Sequence, residues 1–236
     1  AQAGKISGML TIEEGGCCKG SLGVLRQMYE LGARMMTLTW NHENELASPN
    51  VVPGGGGDIW PCKPNTETGL KERGFEFLAE MERLHMIVDV SHLSDRGFWD
   101  IAEHSTRPFA ASHSNCRALA PHCRNLTDEM IRVMAEKGGL VGLNYCSGFL
   151  DDQLRPELCR STTALMARHA AHFKQVGGIE IIGLGSDFDG IGGKLEMGDC
   201  SKLPLLADAL RKEGFTEDEV EQIFFRNAQR FFEENL

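Results

Sequence analysis

Two apolar runs in this chain end on histidine. IVDVSH (87–92) closes on His92 and FAASH (109–113) closes on His113. A buried strand has no packing use for a terminal imidazole, and two neighbouring strands that end alike can bring both rings to one mouth. Imidazole suits zinc among the common metals. Glu14, in IEEGG (12–16) at the end of a third run, adds a carboxylate. Two imidazoles and one carboxylate make a zinc set that leaves a position open for water. Asp187, in GSDFDG (185–190), stands at another strand end. Beside a metal it can take a proton from water and pass it to a leaving amine, although the same segment is good turn chemistry. Asp189 reads as the turn residue. Arg124, in CRNLTD (123–128), is suited to a bidentate clamp on a substrate carboxylate. His169 and His172 share a helical stripe with Leu165 and Val176 and read as core, and Asp89 reads as a buried, hydrogen-bonded structural acid.

These residues need strands to carry them. Runs at 5–12, 35–40, 86–91, 108–112, 139–145 and 180–186 are short, apolar and β-rich. Amphipathic segments lie between them, at 21–32, 70–85, 95–104, 127–138 and 162–177, and a capping box at Thr216 and Glu219 opens a further helix. Strands apolar on both faces, each followed by a helix, predict a parallel sheet. Six βα units in sequence without a dinucleotide glycine fingerprint favour an α/β TIM barrel over a doubly wound sheet, in one domain over 1–236. A closed barrel takes eight strands, so about six of eight units are present and the expectation is a chain that lacks N-terminal units. A long Pro- and Gly-rich loop, 47–65, follows the second strand.

Composition narrows the function classes. With 236 residues, 42% hydrophobic and 25% charged, the chain has an ordinary globular make-up. A formal charge of −10 disfavours a nucleic-acid or anionic-membrane partner. No apolar run approaches the ~18 residues of a membrane span. The eight cysteines include no C-x-x-C and fit no zinc ribbon, so a cytoplasmic chain with reduced, incidental thiols is expected.

Read in order, IEEGG, MTLTWN, IVDVSHLSDRGFWDI, RPFAASHSNCRAL, RNLTDEMI, GGLVGLNY, GLGSDFDG and RNAQRFF closely resemble the renal (membrane) dipeptidase family of zinc peptidases over nearly the whole chain. The resemblance implies a metal-dependent hydrolase barrel holding two zinc ions, hydrolysis of dipeptides by a metal-activated hydroxide, and a homodimer. It assigns Glu14 as the carboxylate bridging both metals and His92 and His113 as ligands of the second zinc. It makes Asp187 the proton carrier and Arg124 the grip on the substrate carboxylate. The family's first zinc uses a His-x-Asp pair, and no His-x-Asp occurs in this sequence. One metal site is therefore recognisable, and poor turnover is expected of this chain. Where mammalian members place a substrate-binding histidine after L-T-L-T, this chain has Trp40, with His42 two residues on as the substitute. Two alternatives stay open: an amidohydrolase acting on another small amide or lactam, indifferent to loss of Arg124, and a non-catalytic metal-binding remnant.

Overall fold

Each of the six apolar runs becomes a strand in the computed structural model, which describes residues 4, 6–52, 62–153 and 155–236. In chain order the elements are β1 (Leu10–Glu13), α1 (Leu22–Glu30), β2 (Ala33–Thr37), α2 (Glu72–Leu84), β3 (Ile87–Asp89) and α3 (Asp95–His104). There follow β4 (Ala110–Ala111), α4 (Asp128–Glu136), β5 (Leu140–Leu143), a one-turn α5 (Ser147–Leu150), α6 (Thr163–Gly177) and β6 (Ile182–Leu184). The chain ends on α7 (Leu203–Lys212), α8 (Glu217–Glu221) and α9 (Asn227–Asn235). All strand pairs are parallel and the spatial order is β1-β2-β3-β4-β5-β6. A doubly wound sheet reverses its order at a switch point; this sheet does not, and follows the course of a (β/α) barrel. β1 and β6 are its edges and do not pair with each other among the described residues.

Side-chain alternation sorts the strands into two faces. Met36, Val88, Ala111, Val141 and Leu143 face the helices, where they meet Leu25, Phe77, Met81, Ile101, Ile131 and Phe173 in the main core. Burying a large side chain of this kind contributes about 1.5–3 kcal/mol. Met35, Ile87, Ala110 and Leu140 occupy the other face, with Phe231 of α9 against them. Further along the same strands that inner face turns polar, through Thr37, Asp89 and Ser112.

Capping fixes where the helices begin. Ser21, Ser94, Thr127 and Thr162 each accept a hydrogen bond from the backbone N–H three residues on. Thr216 and Glu219 form the expected reciprocal box. α7 is not among the expected helices, although Pro204 in its first turn and Gly214 after its end are helix signals. Its buried Leu206 and Leu210 belong to the main core.

The expectation of unpaired thiols fails at one pair: Cys62 and Cys123 form a disulfide, with Cα atoms 6.1 Å apart. They are 61 residues apart in sequence and belong to no motif. They meet because the segments that follow β2 and β4 emerge from the same end of the sheet. The other six cysteines are free. No helix among the described residues is long and apolar enough to cross a membrane. Residues 53–61 of the glycine-rich loop lie outside the described residues.

β4, β5 and β6 approach unusually closely where they turn polar. A Cβ at Gly142 would lie 1.9 Å from the Ser112 carbonyl oxygen, and one at Gly185 would lie 2.0 Å from the same atom. Backbone atoms cannot yield as a flexible side chain can. Gly142→Ala is therefore expected to destabilise the fold by about 1–3 kcal/mol, seen as a lower urea midpoint at unchanged slope.

Candidate metal centre

His92 and His113 meet at the polar end of the sheet, with their Nε2 atoms 2.9 Å apart. Glu13 Oε1 lies 2.9 Å from His92 Nε2 and 3.3 Å from His113 Nε2. The three ligand atoms form one cluster able to hold a metal ion. His92 takes its place through a left-handed backbone, φ +67°, in the turn after β3.

The far side of each ring decides what the near side offers. His92 Nδ1 lies 2.8 Å from Asn41 Oδ1. An amide oxygen only accepts, so His92 Nδ1 carries the proton and Nε2 keeps its lone pair. His113 Nδ1 lies 2.7 Å from Ser112 Oγ, and Ser112 Oγ donates to Asp89 Oδ2. With its only proton committed to Asp89, the hydroxyl accepts from His113 Nδ1. Both Nε2 lone pairs therefore point at a carboxylate oxygen and at each other. Burial holds His92 well below the ordinary imidazole pKa, which favours its neutral form. At neutral pH the Glu13 carboxyl is ionised, as a glutamate ordinarily is. Three electron-rich atoms at such distances repel unless a cation lies among them. This donor set, with second partners fixing both tautomers, fits a divalent metal such as zinc.

The carboxylate at the centre is Glu13, not Glu14, which corrects the sequence assignment. Strand alternation places Thr11 and Glu13 on the lining of the barrel interior. At Glu14 the chain has already turned, with φ +105°. Its Oε1 accepts from Gly16 N at 2.8 Å and from Asn44 Nδ2 at 2.6 Å, opening the short 3-10 turn Gly15–Cys18. Glu14 still lines the adjoining cavity. Counting back from the two glycines selected the wrong member of the Glu-Glu pair; the period-two alternation from Thr11 points to Glu13.

A cavity of about 660 Å³ opens beside this cluster, lined by Glu13, Glu14, Trp40, His92, Phe149 and Asp187 among others. Asp187 adopts φ +58°, and its Oδ2 accepts from Asn144 Nδ2 at 3.1 Å. Arg124 is 4% exposed. Its Nη2 donates to the His113 carbonyl at 3.3 Å, its guanidinium lies over the Phe149 ring, and its buried Nε has no hydrogen-bond partner among the described residues. Burial lowers its pKa against the opposing pull of Asp89, Asp187 and Glu13. His42 does not reach the cavity. It is exposed and its ring packs edge-on to Trp40, because Asn41 takes the inward position as the partner of His92. Asn41, Asn144 and Ser112 stand at strand ends in the sequence, but nothing there marks a polar residue as the partner of a ring far along the chain.

The loop carrying Arg124 is anchored on both sides. Arg117 pairs bidentately with Asp95 at 2.6 and 2.8 Å. Asn115 bridges to Asn144 and to the Phe149 carbonyl. Behind it, His169 is buried as its helical stripe implied. Its Nδ1 accepts from Cys116 N at 3.1 Å and its Nε2 donates to the Leu150 carbonyl at 3.0 Å.

Comparison with known proteins identifies the family. Residues 1–235 match the family model described as membrane dipeptidase (peptidase family M19). The chain is 35% identical over 219 residues to an uncharacterized protein in the pqqA 5′ region of Klebsiella pneumoniae, covering 93% of this chain and 78% of that one. It is 36% identical over 230 residues to an uncharacterized dipeptidase of Schizosaccharomyces pombe, covering 96% of this chain and 52% of that one. Among solved structures it resembles a metallo peptidase from Rhodobacter sphaeroides liganded with a phosphinate mimic of the dipeptide L-Ala-D-Ala, with a TM-score of 0.89 and 30% identity, covering 100% of this chain and 65% of that one. The chain thus spans from about half to about three quarters of the length of these relatives.

Burial lowers the His169 pKa from 6.5 to about 4. The unfolded chain takes up that proton below pH 6.5, whereas the folded chain resists until about 4. His169 therefore contributes stability in full above 6.5, and the contribution is lost as pH falls toward 4. Replacing it in His169→Gln keeps the donor to Leu150 and is expected to flatten this limb in urea titrations at a series of pH values.

Proposed function

The chain belongs to the membrane dipeptidase family, peptidase family M19, and from that premise we propose that its metal centre serves hydrolysis of unblocked dipeptides with zinc bound by Glu13, His92 and His113. The observation that carries this reading is the meeting of two Nε2 lone pairs and an ionised carboxylate at one point. When bound there, zinc supplies Lewis acidity toward the scissile carbonyl and lowers the pKa of a water.

The remaining work falls to side chains on the cavity and behind its wall. Asp187, oriented by Asn144, takes the proton from the attacking water and delivers it to the departing amine. Arg124 meets the free carboxylate of the substrate, and its unpartnered buried Nε is the donor such an anion satisfies. Trp40 and Phe149 supply apolar wall. A cavity of about 660 Å³ suits a ligand of dipeptide size. The competing reading, an amidohydrolase acting on an uncharged amide or lactam, leaves the buried Arg124 Nε without an acceptor.

Two measurements test this reading. Calorimetric zinc titration is expected to show an affinity that falls in Glu13→Gln by more than the roughly 10- to 100-fold that follows loss of a ligand's supporting partner, with a smaller change in Glu14→Gln. Equal loss in both variants, or none in either, overturns the ligand assignment. Hydrolysis of free dipeptides is expected to exceed that of their C-terminal amides, and Arg124→Ala is expected to raise KM by roughly 100-fold for the free forms alone. If Arg124→Ala leaves KM unchanged, the carboxylate-binding role fails and the amide or lactam reading takes its place.

A further inference from the structure

We propose that Cys62 and Cys123 are a reversible thiol–disulfide pair whose state is transmitted to His92 and Arg124. Cys123 stands immediately before Arg124. Its Sγ is bonded to Cys62 and also lies 3.2 Å from Asn50 Oδ1. A disulfide sulfur has no proton to donate, so the contact with Asn50 is a hydrogen bond only in the dithiol state. One arrangement of side chains thus accommodates both redox forms.

Asn50 carries the difference onward. Its Nδ2 donates to the His92 carbonyl at 3.1 Å and to Asn41 Oδ1 at 3.1 Å. Its backbone N–H also donates to the His92 carbonyl, at 2.8 Å. Asn41 Oδ1 is the atom that accepts from His92 Nδ1. Cys123, Asn50, Asn41 and His92 therefore form one continuous chain of contacts ending on a ring of the metal centre. On the other side, Cys62 Sγ accepts from Cys123 N at 3.1 Å, and Arg117 donates to the Cys123 carbonyl at 3.1 Å. Oxidation removes the thiol proton offered to a buried amide and staples the segment after β2 to the loop that holds Arg124. Reduction restores the proton and frees the segment.

The chemistry balances with a small disulfide, such as oxidised glutathione, as co-reactant. Cys62, at 9% exposed against 4% for Cys123, is the more accessible sulfur and attacks as the thiolate. A bond from Cys62 to the first glutathione sulfur forms as the glutathione S–S bond breaks, and the second glutathione leaves as a thiol with the proton Cys62 gave up. The Cys123 thiolate then attacks Cys62 Sγ, forming the Cys62–Cys123 bond and displacing the first glutathione, which leaves as a thiol with the Cys123 proton. A dithiol reductant runs the exchange backwards and returns two electrons and two protons to the pair.

This inference draws its functional meaning from the metal-centre reading, but it is detected without metal or substrate. The metal-free chain is equilibrated in oxidised and in reduced glutathione. Differential alkylation with mass spectrometry reads the Cys62–Cys123 link, and hydrogen exchange reads the peptides spanning 90–94 and 121–126. The expected result is the link in the oxidised sample alone, with exchange in both peptides slowed by roughly tenfold or more. In Cys62→Ser neither peptide is expected to respond to the glutathione ratio. Absence of the link in oxidised glutathione, its persistence in reduced glutathione, or unchanged exchange at 90–94 in the wild-type chain overturns the proposal. The wild-type comparison decides even if the variant folds poorly. Failure of zinc binding would overturn the ligand assignment and leave this result standing.

Discussion

Three lone-pair donors held within hydrogen-bonding distance of one another organise this molecule. His92 Nε2, His113 Nε2 and Glu13 Oε1 come from the ends of β3, β4 and β1. Their proximity is unfavourable without positive charge between them, and each is kept there by something else. Asn41 pins one ring from behind. Ser112 pins the other, and Asp89 pins Ser112. Gly142 and Gly185 allow the strand carrying Ser112 to sit where it must. The barrel order is what brings these strand ends to a common mouth.

The charge balance around the mouth follows the same logic. Glu13, Glu14 and Asp187 line the cavity, and Asp89 lies just beneath it. Arg124 is the buried guanidinium that faces them, drawn by Asp89, Asp187 and Glu13. One arginine does not neutralise four carboxyl groups. A divalent cation brings the region closer to balance, and the field that holds the cation also holds Arg124 charged despite its burial. On the proposed reading, a substrate carboxylate arriving at Arg124 would enter a region whose acidity is engaged by the cation and by hydrogen bonds.

Much of this was legible in the sequence, because strand ends in a parallel barrel are marked by chemistry that packing does not need. The two histidines, Asp187 and the six strands stood out for that reason. The carboxylate was misplaced by one residue because a glycine pair was a tempting anchor, while side-chain parity, which decides which of two adjacent glutamates faces inward, pointed to Glu13. His42 was placed in the pocket on the strength of its imidazole, yet the inward position belongs to Asn41, whose amide oxygen orients a ring. The Cys62–Cys123 link could not be read at all, since its partners share no periodicity and meet only once both loops are folded.

His92, Asp187 and Glu14 all adopt positive φ, a region where L residues other than asparagine, aspartate and histidine are rare. Glycine is relaxed in that conformation, and histidine, though commoner there than most L residues, is less so. A screen that rewards heat resistance alone would thus favour glycine or asparagine at position 92. The sturdiest variants from such a screen would then be those that had discarded the imidazole.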